Sequence, residues 1–226
     1  MNNKYVERTG IILAGGVAEK FGCNKGLVDL AGKPLVMHVI DRVKNLIDEV
    51  IVVVASQEQK EAYLRVLPKE IKIQIDLGRK HSPLIGALTG FTHAKGTYSL
   101  LLPCDTPFIS KDIIELLFEA TSNLNATIPR WPNGCIEPLQ AVYRTEAGLK
   151  ASEEAVLKSE LGMQSMVSHL RKVRYFSTLA LREIDRELLT FFNVNSPLDL
   201  KKATRLIKKK SNAFSTDTSS SGRLDE

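Results

Sequence analysis

Ile11-Ile12-Leu13-Ala14-Gly15-Gly16 is the stretch on which the reading of this chain turns. A run of strand-type apolar residues stops at a small residue and two glycines. A loop then carries Phe21-Gly22, Cys23, Asn24 and Lys25-Gly26 before the next helical pattern begins. Adjacent glycines let backbone N–H groups close on an anion with no Cβ in the way, and a nearby lysine supplies a point charge for phosphate oxygens. The spacing matches neither G-x-x-x-x-G-K-[ST] nor G-x-G-x-x-G. On this stretch alone, a plain Gly-Gly turn with a solvated Lys25 stands beside phosphate binding.

Working outward, Pro34 to Ile47 places Leu35, Val36, Val39, Ile40, Val43, Leu46 and Ile47 on one helical stripe, with Pro34 in the first turn. Val50–Ala55 is continuously apolar and β-branched, as a parallel strand covered on both faces requires. Gln57–Leu67 reads as a helix ended by Pro68, and the alternating Ile71–Ile75 as a strand near a sheet edge. Ser82 then caps a helix over Pro83–Ala94, Thr97–Leu102 is an apolar strand, and Ser110 caps a helix over Lys111–Ala120. This β-α-β-α-β-α-β-α order predicts an α/β fold: a doubly wound, mostly parallel sheet with helices on both faces. The remainder predicts strands at Ala126–Pro129, Ile136–Arg144 and Val173–Ser177. It predicts helices at Thr145–Ser159, at Met163–Leu170 and from Ser196 or Pro197 to about Lys208. Residues 1–210 form one expected domain, and Ser211–Glu226, which offers little to bury, an expected disordered tail.

The 226 residues suffice for one domain with a substantial core, and 43% hydrophobic with 25% charged residues is ordinary for a globular protein. No apolar run reaches the roughly 18 residues of a membrane span, and Met1–Glu7 holds no apolar signal region, so a cytoplasmic protein is expected. Cys23, Cys104 and Cys135 are widely spaced, which predicts free thiols rather than disulfides or a metal pair. Seven basic and three acidic residues lie from Lys201 onward, leaving a net +1 for residues 1–200 out of a total of +5. The basic excess thus suits a helix C-terminus rather than nucleic acid.

In a doubly wound sheet, ligands bind beyond the carboxyl ends of the strands. Those ends are Ala14-Gly15-Gly16, Ala55-Ser56, Asp76 and Pro103-Cys104-Asp105. Asp105 closes an apolar strand and precedes Thr106-Pro107, which places a carboxylate on a stiff loop where a hard cation is held together with phosphate oxygens. A turn residue bonding its own loop is the alternative for Asp105 and, more strongly, for Asp76. Asn193 and Asn195, at spacing two before the helix start Ser196-Pro197, face one side in an extended chain. They are candidates to hold a ligand hydroxyl or phosphate. The four histidines show no metal-ligand spacing, and Trp131 reads as a loop anchor or a stacking lid.

Taken together, Leu13-Ala14-Gly15-Gly16, Lys25-Gly26-Leu27, Gly32-Lys33-Pro34-Leu35, Ser82-Pro83-Leu84-Ile85-Gly86, the run Leu102–Phe108 and Asn193–Pro197 resemble the molybdenum cofactor guanylyltransferases. The resemblance covers about residues 9 to 205, and the glycine opening is shared with several sugar- and alcohol-phosphate nucleotidyltransferases. It implies a Rossmann-like nucleotidyltransferase fold and transfer of GMP from GTP to the terminal phosphate of Mo-molybdopterin, with release of pyrophosphate. It also implies transient contact with molybdoenzymes or cofactor-synthesis proteins. By that resemblance Leu13, Ala14 and Gly15 line the guanine and ribose side, and the Gly15 and Gly16 amides hold the triphosphate. Lys25 neutralises charge at the α-phosphate and Asp105 binds Mg²⁺. Asp76 and Gly86 fall at nucleotide contacts, and Asn193 and Asn195 face the pterin substrate.

The chain departs from the family after Gly-Gly, where a small residue and then an arginine give way to Val17-Ala18-Glu19-Lys20. It also carries Ser56 where asparagine is common. Lysine replaces the charge of arginine but not its bidentate fork. Two alternatives stay open: the same chemistry with another acceptor or base, and a non-catalytic module that binds nucleotide or molybdopterin.

Overall fold

A computed structural model describes residues 6–18, 21–77 and 82–217 of the chain. After β1 (Arg8–Leu13) come two short antiparallel pairs, β2 (Val17–Ala18) with β3 (Cys23–Asn24) and β4 (Asp29–Leu30) with β5 (Lys33–Pro34). There follow α1 (Leu35–Val43), β6 (Glu49–Val54), α2 (Gln57–Leu64), β7 (Lys72–Ile75), α3 (Pro83–His93), β8 (Tyr98–Pro103) and α4 (Lys111–Ala120). The rest of the described chain adds β9 (Ala126–Arg130), β10 (Ala141–Arg144), α5 (Thr145–Leu157), α6 (Met163–Ser168), β11 (Val173–Ser177), α7 (Thr178–Leu181) and α8 (Pro197–Asp217).

Seven strands form one sheet in the order β11-β9-β10-β8-β1-β6-β7. β8, β1, β6 and β7 are parallel, β11 is parallel to β9, and β10 runs against both of its neighbours. All the strands but β10 therefore present their carboxyl ends on one rim. Ile11 lies level with Ile51 on one side and Leu101 on the other.

Successive side chains of a strand point to opposite faces, and this alternation divides the core in two. Ile11, Ile51, Val53 and Leu101 pack with Leu84 and Phe91 of α3, Ala151 of α5 and Met166 of α6. Ile12, Val52, Val54 and Leu102 pack with Val36 and Val39 of α1, Tyr63 of α2 and Ile113 of α4. Every residue of β6 is buried, the reason for its unbroken β-branched run. Truncating the fully buried Leu101 to alanine would cost about 2–5 kcal/mol in lost transfer and cavity energy.

Helix starts follow the expected capping chemistry: Ser82 Oγ accepts from the Ile85 N–H at 3.3 Å and Ser110 Oγ from the Ile113 N–H at 3.4 Å. Pro34 departs from expectation, since it is extended, pairs with Asp29 and immediately precedes α1. The strand expected over Ile136–Arg144 shrinks to β10, with Ile136 making an isolated bridge to Arg130. Pro138 has no N–H to give to a ladder, and residues 137–140 turn aside to line a cleft. The last helix runs to Asp217, past its expected end near Lys208 and into the stretch 211–217 expected to be disordered. No Pro or Gly interrupts the sequence there, and the Lys-rich segment favours helix. Residues 218–226 lie outside the described residues.

Candidate active site

Strand order reverses beside β1: the chain runs outward from β1 through β6 to β7, then returns to place β8 on the other flank of β1. Loops leaving adjacent strands at such a switch point diverge and open a crevice. Here the crevice is a cleft of ≈ 530 Å³. Leu13, Gly15 and Gly16 reach it from β1, Ala55 from β6, Asp76 from β7, and Cys104 and Asp105 from β8. The ladder continues to the rim, because Ala14 N–H donates to Val53 O at 2.7 Å, Cys104 N–H to Leu13 O at 3.1 Å and Asp76 N–H to Val54 O at 2.9 Å. The strand ends are thus tied to one another before any side chain is considered.

Opposite charges meet inside the cleft. Asp105 is 4% exposed, and Lys25 Nζ lies 2.5 Å from its Oδ2 and donates to Asn195 Oδ1 at 2.5 Å. Lys25 opens a short 3₁₀ turn, Lys25–Leu27, and its own N–H donates to Gly16 O at 3.2 Å. Asn195 is fixed by the start of α8. The Asp199 carboxylate accepts from Asn195 N–H at 3.1 Å and from Ser196 Oγ at 2.7 Å, while Ser196 Oγ accepts from Asp199 N–H at 3.2 Å. Ser196 thereby caps the helix, and Asp199 reaches back to the residue before the cap. Val194 N–H donates to Asp105 O at 3.0 Å with its side chain buried, which leaves Asn193 and Asn195 on the cleft side.

Burial sets the protonation of two further groups. It pushes the Cys104 thiol well up, and the neighbouring Asp105 charge adds to the effect, so the thiol keeps its proton at neutral pH. Burial likewise pushes the Tyr63 phenol up, against a hydrogen bond from the Gly26 backbone that works the other way. Tyr63 therefore keeps its proton and donates it to Ala14 O at 3.2 Å. Only glycine is accommodated at position 26, where a Cβ would lie 2.4 Å from the Tyr63 hydroxyl.

The structure gathers Leu13, Gly15, Gly16, Lys25, Asp76, Gly86, Asp105, Asn193 and Asn195 around this one cleft. Ala14 stands behind it: its side chain is fully buried in the core against α1 and α2, and its carbonyl faces Tyr63. Glu19, Lys20 and His81 lie outside the described residues. Trp131 braces the wall formed by residues 137–140, donating from Nε1 to Glu137 Oε1 at 2.6 Å and meeting Phe191 edge-on at 5.5 Å. Gln59, Tyr63 and Gln140 went unnoticed in the sequence. A signal for the first two existed: α2 is polar almost throughout, and its two buried residues are a Gln and a Tyr four apart. A polar pair on the inward face of a helix needs partners, and here they belong to the loop.

Comparison with known proteins follows the same outline. The family described as "MobA-like NTP transferase domain" matches residues 10–173. A protein of Methanosarcina mazei named "Probable molybdenum cofactor guanylyltransferase" is 33% identical over 198 residues, covering 85% of this chain and 88% of the relative. One of Desulfosudis oleivorans named "Molybdenum cofactor guanylyltransferase" is 31% identical over 202 residues, covering 88% and 96%. The crystal structure of the molybdopterin-guanine dinucleotide biosynthesis protein A of Archaeoglobus fulgidus superposes with a TM-score of 0.75 at 27% identity, covering 89% of this chain and 99% of that one. A switch-point cleft lined by a glycine pair and a buried carboxylate, in a chain matched over most of its length, makes this protein a nucleotidyltransferase of the MobA-like NTP transferase family.

Proposed function

We propose that the protein transfers GMP from GTP to the terminal phosphate of Mo-molybdopterin, forming molybdopterin guanine dinucleotide and pyrophosphate. One juxtaposition carries the reading: the Gly15-Gly16 turn and the buried Asp105 carboxylate line the same cleft, and the Lys25 ammonium, also in its lining, lies 2.5 Å from that carboxylate. The names of the relatives supply the nucleotide and the acceptor. A phosphate oxygen of the acceptor attacks the α-phosphorus, the bond from that phosphorus to the bridging oxygen of the β-phosphate breaks, and pyrophosphate leaves. Such chemistry needs alignment and charge neutralisation rather than a side-chain nucleophile.

In this reading the Gly15 and Gly16 amides hold the triphosphate, Lys25 neutralises the α-phosphate, and Leu13, Asp76 and Gly86 lie on the nucleotide side, whereas Ala14, expected there, is buried behind the cleft. Asn193 and Asn195 face the acceptor. A Cβ on Gly16 would meet no protein atom within 4 Å, so open space lies beside it. Among the described residues, no three His, Cys, Asp or Glu side chains converge as a metal cage. Mg²⁺ relies on one or two carboxylates with water and substrate phosphates, and Asp105 would provide a carboxylate. When bound, the ion would add charge neutralisation at the phosphates.

Purified protein given Mg²⁺, Mo-molybdopterin and each NTP in turn should release pyrophosphate with GTP. Release with a different NTP or acceptor reassigns the specificity, and binding without turnover makes the chain a carrier. Lys25→Ala should lower turnover about 100-fold with the fold intact. A rate near wild type would remove Lys25 from the machinery.

A further inference from the structure

The loop after β1 is gripped from outside the cleft. Gln59 and Tyr63 lie one turn apart on α2, are 7% and 0% exposed, and do not line the cleft. The Gln59 amide accepts from Ala55 N–H at 2.7 Å through Oε1 and donates through Nε2 to Gly15 O and to Asn24 Oδ1, both at 3.1 Å. The Tyr63 hydroxyl donates to Ala14 O and is hydrogen-bonded by the Gly26 backbone. Each side chain therefore ties the Gly15 end of the loop to the Lys25 end.

Peptide geometry turns this grip into direction. No cis peptide occurs among the described residues, and in a trans peptide the C=O of one residue and the N–H of the next point opposite ways. Tyr63 draws the Ala14 carbonyl toward α2, so the Gly15 N–H points away from α2. Gln59 draws the Gly15 carbonyl the same way, so the Gly16 N–H points away too. Away from α2 is the cleft, which both glycines line. A Gly-Gly peptide has no side chain to resist rotation, and once turned over it would present a carbonyl oxygen to an incoming anion.

We infer that Gln59 and Tyr63 are positioning residues: they hold two successive peptides of the loop so that both amide hydrogens face the anion. This rests on the reading of Gly15-Gly16 as the triphosphate cradle.

The test measures binding of GTP, inorganic tripolyphosphate and guanosine by calorimetry to wild type, Gln59→Glu, Gln59→Met and Tyr63→Phe, with thermal melting of each. Thr121→Val is the control, since it removes a buried hydroxyl that donates to Leu117 O on α4, outside the cleft. GTP and tripolyphosphate should bind about 10- to 100-fold more weakly to the Gln59 variants, and several-fold more weakly to the nearly isosteric Tyr63→Phe. Guanosine binding should change less than about 2-fold, and the control should lose melting temperature alone. Equal losses for guanosine and GTP, or losses matched by the control, would mean general damage and overturn the proposal. Unchanged tripolyphosphate binding in all three variants would overturn it and leave the cradle standing. A wild type that binds neither GTP nor tripolyphosphate sinks the cradle and the proposal together.

Discussion

The sheet carries a buried carboxylate beside a lysine at each of its two rims, and the pairs are built differently. At the amino rim Glu49 accepts from Thr9 Oγ1 at 2.9 Å, from Lys95 N–H at 3.0 Å and from Lys72 Nζ, so that β1, β7 and the connection into β8 all close on one carboxylate. At the carboxyl rim Asp105 meets Lys25, which is itself shared with Asn195 and lines an open cleft. A carboxylate whose acceptor sites are filled by backbone and hydroxyl donors is a clamp. One opposed by a side-chain cation at a cleft can exchange that cation for another as ligand arrives. Lysine and carboxylate alone do not separate the cases; the third partner does.

The comparison breaks most sharply on exchange of the two acids for their amides. Asp105→Asn should reduce nucleotidyl transfer by about 1,000-fold or more, with a melting temperature within a few degrees of wild type. Pyrophosphate release and calorimetric melting together decide it, and an active variant would make Asp105 a second clamp. Glu49→Gln should do the opposite, losing about 1–3 kcal/mol in urea titration while the folded enzyme keeps its rate.

Acid should sharpen the contrast further. Burial works to raise the Glu49 pKa, but the hydrogen bonds from Lys72, the Lys95 backbone and Thr9 outweigh it and hold the carboxyl below its ordinary 4.5. With the folded value below the unfolded one, the stabilisation is complete above about pH 4.5 and is lost as pH falls through the folded value. Urea midpoints should therefore fall on acidification below about pH 4.5, less steeply in Glu49→Gln than in wild type. A slope identical in both would remove Glu49 as its source. The smallest effect belongs to Asn195→Ala, which frees Lys25 from one of its two partners and should change kcat/KM by about 3- to 10-fold. No change at all would make the 2.5 Å contact incidental.

The β-α alternation from Ile11 to Ala120 was legible because β-branched runs, helical stripes and serine caps each imply one local structure, and all agreed. The rim residues Gly15, Asp76 and Asp105 were legible as a consequence, since the topology says where strands end, and Lys25 was legible from its place in the glycine loop. Beyond Ala126 the signals weaken: β10 is four residues long, and Pro138 ends its pairing before the apolar pattern ends. Pro34 satisfied two local rules at once, first helical turn and edge strand, and tertiary pairing chose between them. The hold of Gln59 and Tyr63 on the loop was the least legible. Its partners are backbone carbonyls 44 and 49 positions away, and a carbonyl has no letter in the sequence.

Lys25 and Asn195 are 170 positions apart, and that interval fixes when the cleft is completed during synthesis. Every strand of the main sheet has been made once Ser177 is added, while the buried Leu181, Val194 and Ala203 are still to come. Asn193, Asn195 and the Asp199 that accepts from the Asn195 N–H arrive later. The last strand of the sheet and the last residues of the cleft are thus divided by about twenty residues of translation.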